Sequence, residues 1–219
     1  MSDVRSAIVI GGGLVGCSSA YYLCRAGWKV TLLERQRIGS GASHGNCGYV
    51  CPSHAMPLSA PGVVAYTLPS LFKRDAPLSI PARFDPGLWK WLLQFTRQCS
   101  TDRMMHAATG RNALLASSMS LYREFVDEES IECEWTDRGL LLVYKSANDF
   151  DGYKETAELL KREFEIEAVA YPGEAVKDLE PSLKSGMAGG WHFPADAHVR
   201  PDKLLAGFKR AIERRGGEI

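Results

Sequence analysis

The sequence lacks any excess of charge of one sign, because 26 lysines and arginines balance 26 aspartates and glutamates in 219 residues. A neutral chain is not typical of proteins that hold nucleic acid or an anionic membrane by electrostatics, so we expect no nucleic-acid partner. The six cysteines form no C-x-x-C pair and the five histidines are scattered, which predicts no metal site. A disulfide framework is not expected in a chain of this length, which favours a reducing, cytoplasmic compartment.

A long apolar segment is also missing. Residues 6–24 carry no charge, and the tetrapeptide Leu-Val-Gly-Cys at 14–17 resembles a lipoprotein cleavage site. However, three consecutive glycines at 11–13 interrupt this segment. The leader at 1–5 has one acid and one base instead of the positive charge of a signal peptide. We interpret the segment as a buried strand, turn and helix rather than a membrane span.

The first fifty residues have the pattern of a βαβ unit. An apolar run at 7–10, bounded by glycine, predicts a buried parallel strand. Apolar residues then recur at helical spacing from Leu14 to Cys24, and Gly27 is placed to end this helix in the left-handed conformation. Residues 29–33 predict a second strand. With 45% hydrophobic residues, the chain can form one large core or two small ones.

The glycine motif Gly11-x-Gly13-x-x-Gly16 joins the first strand to the helix. Gly11 permits the tight turn, Gly13 lets a pyrophosphate approach the backbone, and Gly16 lets the helix lie close to the strand. The N–H groups and positive dipole end of the helix then face the anion. Glu34, at the end of the second strand, can accept both hydroxyls of an adenosine ribose, which predicts a bound adenine dinucleotide. Arg35 has two open interpretations, a contact to the adenine or ribose and a solvated surface charge.

A second glycine-rich segment at 39–48 favours FAD over NAD, because its four glycines let the backbone approach a ligand. The glycine motif, the Glu34-Arg35 pair and the Ala42-Ser43-x-x-Asn46-x-Gly48 stretch together resemble the FAD-dependent D-amino-acid oxidase superfamily. Within it, the sequence is most similar to the bacterial D-amino-acid dehydrogenase branch. Less specific matches to the same branch follow at 60–62, 74–78, 89–91, 179–181, 189–191 and 196–198.

The resemblance implies FAD as the cofactor and assigns a role to ten residues. The pyrophosphate would be held by Gly11, Gly13, Leu14, Val15 and Gly16. Glu34 would hold the ribose, and Arg35 would border the adenine. The glycine-rich segment at 39–48, called the flavin loop below, would place Ser43, Asn46 and Cys47 along the pyrophosphate, the ribityl chain and the flavin. Some relatives attach FAD covalently to a histidine in this loop, but His44 lies one position away from it, so we expect non-covalent FAD.

Four segments are expected along the chain. Residues 1–50 form the FAD-binding βαβ unit and flavin loop. Residues 51–86 hold seven of the eleven prolines and predict an irregular, packed segment. Residues 87–195 predict part of a substrate domain, and residues 196–219 a return helix. The expected fold class is α/β, with a Rossmann-like βαβ unit, an incomplete parallel sheet and inserted α+β elements with antiparallel strands.

The later segments carry specific expectations about secondary structure. A helix at 86–99 should pack Trp89 and Trp91 into a core. Residues 131–135 and 140–144 should form an antiparallel hairpin. A longer helix at 103–129 should bury a face made of Leu115, Ser118, Met119, Tyr122 and Val126, widened by Leu114, Leu121 and Phe125. Further elements are a helix capped by Asn148, strands at 168–171 and 190–193, a short helix at 174–179 and a last helix opening at Pro201.

The parallel sheet is incomplete, because Glu218 stands where a third strand should begin and such sheets normally have several more. We infer the front portion of a longer enzyme. The resemblance implies oxidation of the C–N bond of an amino acid, most simply a D-amino acid, by hydride transfer to flavin N5. Electrons would pass to a quinone, the respiratory chain or oxygen. The arginine that binds the substrate carboxylate would come from the missing half, so no catalytic residue is assigned.

Two alternatives stay open. An NAD-dependent dehydrogenase uses the same βαβ unit, and a non-catalytic FAD-binding subunit would need a partner chain. The residues do not name the amino acid, the electron acceptor or the oligomeric state, and they do not separate a dehydrogenase from an oxidase. The resemblance is compatible with a cytoplasmic enzyme and with a peripheral one on the inner membrane face.

Overall fold

The computed structural model describes residues 5–70 and 84–219. The expected irregular segment at 51–86 is therefore described only in part, and the family match at 74–78 lies outside the described residues. In chain order the elements are β1 (Ser6–Ile10), α1 (Leu14–Arg25), β2 (Lys29–Leu33), β3 (Tyr49–Val50), α2 (Val63–Ser70), α3 (Pro86–Gln98), α4 (Thr101–Glu128), β4 (Leu140–Tyr144), α5 (Ala147–Phe164), β5 (Val169–Pro172), a 3₁₀ helix (Gly173–Asp178), β6 (Gly189–Phe193), β7 (Ala197–His198) and α6 (Pro201–Arg214).

The βαβ unit forms as the sequence predicts. β1 and β2 pair in parallel, and Gly27 ends the helical connection with φ = +81°. On the other side of β2, the Glu218 N–H donates to the Val30 carbonyl at 2.9 Å and the Leu32 N–H donates to the Glu218 carbonyl at 2.8 Å. A second parallel pairing thus begins at Glu218, where a third strand is expected to start.

The two faces of this parallel sheet differ sharply in burial. On the face that α1 covers, Val30 and Leu32 are 1% and 0% exposed. On the opposite face, Ile8 and Ile10 are 70% and 85% exposed, and Leu33 is 51% exposed. Parallel sheets are normally covered on both faces. The described residues therefore cover only one of the two faces.

The main core lies where α1, α4 and α6 meet. The rings of Phe125 and Phe208 stack with centroids 3.9 Å apart, and Tyr21 meets Phe125 edge-on at 4.8 Å. Helix α6 buries the apolar residues that recur every three or four positions along it, namely Leu204, Leu205, Phe208, Ala211 and Ile212. This packing fixes α6 against α1, the helix that follows the glycine motif.

A three-stranded antiparallel sheet forms the second layer, in the order β4-β6-β5. The expected hairpin is wrong, because β4 pairs with β6 and residues 131–135 form no strand. Glu134 interrupts the extended backbone with φ = +53°, and Thr136 forms a bridge to His198 instead. Helix α5 covers this sheet and contributes the buried Ala157 and Leu160.

Three local predictions need correction. Ser146, not Asn148, caps α5, because its Oγ accepts the Asp149 N–H at 3.4 Å. Trp89 and Trp91 are 58% and 56% exposed, and α3 has no buried residue, so the described part of the chain gives it no core. Helix α4 buries Met119 and Phe125 as expected, but the predicted face is too wide, because two of its leucines are exposed, Leu114 and Leu121.

The helices of the described residues include none that is both long and apolar enough to cross a bilayer.

Candidate functional site

The glycine motif forms a tight bend between β1 and α1. Gly11 has φ = +104°, and its N–H donates to the Leu33 carbonyl at 2.8 Å. A Cβ added to Gly16 would lie 1.8 Å from the Gly11 carbonyl oxygen. Since backbone atoms cannot move aside at that distance, a side chain at Gly16 is excluded. The bend therefore has the bare backbone that the motif predicts.

The N-terminus of α1 is open to an anion. Its N-cap residue, Gly13, makes no side-chain cap, and the first turn contains no acidic residue. The Leu14 N–H donates to Ser43 Oγ at 2.9 Å, which ties the flavin loop to the start of the helix. Val15 is 79% exposed beside them. N–H groups and the helix dipole at such a terminus favour negative charge.

Glu34 faces the bend. Its Oε2 accepts the Gly12 N–H at 2.7 Å, and its Oε1 accepts the Gln36 N–H at 2.9 Å. These backbone hydrogen bonds, first from Gly12 and then from Gln36, lower the pKa of Glu34 below its usual value. The carboxylate is thus held in its charged form, with lone pairs left for ribose hydroxyls. Arg35 follows it at an exposed position.

Gly12 is a site residue that the motif does not predict. A Cβ there would lie 2.4 Å from Ile38 Cδ1 and 3.1 Å from Glu34 Cβ. In addition, the Gly39 N–H donates to the Gly12 carbonyl at 2.8 Å. The only signal in the sequence is the run of three glycines, which does not show that Gly12 packs against the start of the next loop.

The flavin loop is organised by Asn46. Its Nδ2 donates to the Ser43 carbonyl at 2.8 Å, and its Oδ1 accepts the Gly48 N–H at 2.7 Å. Gly48 has φ = +69°, and a Cβ there would lie 2.0 Å from the Val199 carbonyl oxygen. Asn46 therefore shapes the loop through its amide, while Cys47 and His44 are exposed beside it.

An open cavity of about 450 Å³ lies between this loop and the start of α6. Its polar lining consists of His44, Asn46, Cys47, Glu134, Thr136, His198, Arg200 and Asp202. Five of these residues, Glu134, Thr136, His198, Arg200 and Asp202, have no site role in the sequence prediction. They join the site because β3 pairs with β7, a long-range contact that spacing does not reveal.

Arg200 is already engaged by acidic neighbours. Its Nε and Nη2 donate to the two oxygens of Asp202 at 3.0 and 2.8 Å, and its Nη1 lies 3.7 Å from Glu134 Oε1. A bidentate arginine for a substrate carboxylate would have to give up these contacts. Arg200 therefore makes its bidentate hydrogen bonds to an acidic residue of its own chain.

The residues at the bend fit an adenine dinucleotide. The contact that a Cβ at Gly16 would make with the Gly11 carbonyl shows how closely α1 lies on the bend. The first turn of α1 has no acidic residue to repel an anion, and the Glu34 carboxylate is a hydroxyl acceptor. Ser43 adds a hydroxyl at the same helix start. A larger ligand could extend from here along the flavin loop.

Residues 6–219 match the family described as FAD dependent oxidoreductase, DAO. The chain is 33% identical over 208 residues to the D-amino acid dehydrogenase of Methylobacterium nodulans, which covers 91% of this chain and 49% of that protein. It is 34% identical over 209 residues to the D-amino acid dehydrogenase of Paramagnetospirillum magneticum, with the same two coverages.

Among solved structures, glycine oxidase from Geobacillus kaustophilus superposes with a TM-score of 0.62 at 19% identity, over 97% of this chain and 45% of that one. This likeness concerns the fold. The chain spans about half the length of the curated relatives it matches. The resemblance drawn from the motifs is confirmed, and the chain belongs to the DAO family of FAD dependent oxidoreductases.

Proposed function

We propose that this chain forms the FAD-binding part of an enzyme that oxidises the C–N bond of a D-amino acid to give a 2-oxo acid and ammonia. The observation that carries the proposal is the bare bend from Gly11 to Gly16, with the Glu34 carboxylate turned toward it. Bound FAD would supply the hydride acceptor for this chemistry.

Each residue of the bend would bind a different part of FAD. The backbone N–H groups of Gly13 and Val15 would hold the pyrophosphate at the start of α1, together with the Ser43 hydroxyl. Glu34 would accept hydrogen bonds from the ribose hydroxyls, and Arg35 would border the adenine. The support for these roles is the absence of an acidic residue from the first turn of α1, the Ser43 hydroxyl at the same helix start and the lowered pKa of Glu34.

Asn46 and Cys47 have a different part in this proposal. Asn46 holds the flavin loop in shape through its hydrogen bonds to Ser43 and Gly48, so that the loop can lie along the ribityl chain and the flavin. Cys47 is exposed at the same loop and lines the 450 Å³ cavity. The FAD would be bound without a covalent bond, although His44 lies on the loop.

The substrate class follows from the relatives rather than from side chains in this chain. The two D-amino acid dehydrogenases are 33% and 34% identical to it. Arg200, the arginine of the cavity lining, is paired with Asp202. We therefore infer that the carboxylate-binding residues belong to a further polypeptide half or a partner chain. The exposed face of Ile8 and Ile10 offers that half a surface to cover.

The acceptor of the electrons would be a quinone, another respiratory component or oxygen. The enzyme would work in the cytoplasm or at the inner membrane face. The dehydrogenase relatives favour a respiratory acceptor over oxygen. A comparison of dye reduction with hydrogen peroxide formation by the complete enzyme distinguishes these two outcomes.

The test is to purify the chain with and without the second half of a D-amino acid dehydrogenase, and to record flavin absorbance and D-alanine-dependent dye reduction. Flavin bands that Gly16→Ala abolishes and Gly110→Ala retains would support the proposal, because Gly110 lies on α4 outside the flavin loop and a Cβ there meets nothing within 4 Å. Dye reduction should require the second half. NADH binding without flavin would instead indicate an NAD-dependent dehydrogenase.

Flavin binding without dye reduction, even with the second half present, would indicate a non-catalytic FAD-binding subunit. Acid precipitation separates the two modes of attachment. We expect the flavin colour to stay in the supernatant. Colour in the pellet that His44→Ala removes would contradict non-covalent binding.

A further inference from the structure

A second group of chemically active side chains lies where β3 ends. The antiparallel pairing sets Val50 opposite Ala197, so Cys51 and Asp196 are the next pair in register. A turn follows, in which the His54 N–H donates to the Cys51 carbonyl at 3.2 Å. Cys51 Sγ, an imidazole nitrogen of His54 and a carboxylate oxygen of Asp196 all lie within 4.8 Å of one another.

Asp196 is a buried carboxylate, with 1% of its surface exposed. Its Oδ1 accepts the Ser53 N–H at 3.0 Å, and its Oδ2 accepts the Ser53 hydroxyl. Within residues 5–70 and 84–219, no lysine or arginine forms an ion pair with it. Buried charges in proteins are usually paired with an opposite charge or bound to a metal.

We propose that Cys51, His54 and Asp196 bind a divalent zinc ion, with Cys51 as the thiolate after its thiol proton has passed to solvent. Sulfur, imidazole nitrogen and carboxylate oxygen are the three donor types that zinc takes in proteins. Four-coordinate zinc needs ligand atoms about 3.4 Å apart. Cys51 and His54 would therefore rotate toward the Asp196 carboxylate from the observed spacing of up to 4.8 Å. Three protein ligands leave the fourth position to water.

The proposed site is accessible to solvent, and one of its ligands is already held in place by hydrogen bonds. His54 is exposed, so the ion can enter from solvent. Ser53, which lies between the two ligands of the turn, already fixes the Asp196 carboxylate through two hydrogen bonds. Hydrogen bonds of this kind orient metal ligands in proteins.

A bound ion would fasten the 51–54 turn to the turn that joins β6 and β7. It would thereby link the end of the flavin loop to the antiparallel sheet. The sequence gives no sign of this site, because the turn and Asp196 are more than 140 positions apart. The proposal does not depend on the binding of FAD.

The experiment uses the 219-residue chain after removal of metals with a chelator. Titration with Co²⁺ should produce a thiolate-to-cobalt charge-transfer band that saturates at one equivalent, and Zn²⁺ should remove it. Cys51→Ser and His54→Ala should weaken binding more than about 100-fold, since even changes behind a metal ligand weaken binding 10–100-fold. His54 is exposed, so its variant is expected to fold, which circular dichroism checks.

Two matched variants provide the controls. Cys99→Ser removes another partly exposed thiol, and His106→Ala removes another exposed imidazole. Both should bind cobalt as the unaltered chain does. The proposal is overturned if no charge-transfer band appears, or if folded His54→Ala and Cys51→Ser bind cobalt within about threefold of the controls.

Discussion

Replacement of Glu129 by glutamine is expected to destabilise the chain at neutral pH, because this carboxylate joins three helices. Its side chain is 8% exposed at the end of α4. Arg214 at the end of α6 lies 2.6 Å from its Oε2, and Arg215 just beyond α6 lies 2.6 Å from its Oε1. The hydroxyl of Tyr21, from α1, donates to Oε1 at 3.0 Å.

The size of the effect follows from the pKa of Glu129. Burial raises this pKa, but hydrogen bonds from Arg214, Arg215 and Tyr21 outweigh burial and lower it from 4.5 to about 2. A pKa difference of about 2.5 corresponds to about 3 kcal/mol of preference for the charged form. Solvent screens Arg214, which is 53% exposed. We therefore expect Glu129→Gln to lower the free energy of unfolding by about 2 kcal/mol.

The pH dependence of this loss has a definite sign. A carboxyl whose pKa is lowered in the folded chain stabilises it fully above the unfolded pKa, near 4.5. That stabilisation is lost as the pH falls toward about 2. The difference between Glu129→Gln and the unaltered chain should therefore be largest above pH 5 and should shrink steadily below it.

Urea unfolding across this pH range measures the difference, with Glu128→Gln as the matched control. Glu128 has a 45% exposed side chain and lies 3.5 Å from Arg25, so its loss should change stability by less than about 0.5 kcal/mol. The reasoning would be refuted if the two variants lost equal stability at pH 7. It would also be refuted if the loss in Glu129→Gln did not change with pH.

Four substitutions test the site and the core. Gly16→Ala should abolish flavin retention, measured as the flavin-to-protein ratio, because its Cβ would collide with the Gly11 carbonyl. Glu34→Gln should weaken FAD binding about 10- to 100-fold in a fluorescence titration, since it loses charge-assisted hydrogen bonds of about 1.5–3 kcal/mol. Equal affinity would refute the ribose role. Phe208→Ala should cost about 3–5 kcal/mol in urea unfolding, whereas exposed Ile10→Ser should change stability by less than about 0.5 kcal/mol in the chain alone.

The βαβ unit could be predicted from sequence because its information is local. Glycines at 11, 13 and 16 specify one bend, and Gly27 specifies the helix end. The last helix could be predicted for the same reason, since its apolar residues recur every three or four positions over a single segment. Each of these elements is encoded within about 15 neighbouring residues.

The hairpin could not be predicted correctly because alternation is a weak guide to pairing. Residues 131, 133 and 135 alternate like a strand, yet Glu134 adopts φ = +53° and ends any extended run. β4 finds its partner at Gly189–Phe193 instead. Similarly, the apolar spacing of α3 predicts a helix, but it does not show that Trp89 and Trp91 stay more than half exposed in the described part of the chain.

In the candidate site, too, the residues placed by local sequence could be predicted, and those placed by long-range pairing could not. The bend and Glu34 were predictable because a strand, a loop and a helix set their positions within 34 residues. Glu134, Thr136 and the Cys51–Asp196 pair were not, because all depend on the pairing of β3 with β7 or on contacts around it. Residue spacing carries no information on that pairing.

The bend at Gly11–Gly16 is complete within the described residues, whereas one face of the parallel sheet is left uncovered by them. The contacts of the bend are local and close within β1, α1, β2 and the flavin loop. The face that carries Ile8 and Ile10, by contrast, stays exposed, and parallel sheets of this kind are covered on both faces. Covering that face requires polypeptide beyond the described residues. We therefore expect FAD binding to depend on the bend. In the proposed function, amino-acid oxidation would depend on the polypeptide that covers the face of Ile8 and Ile10.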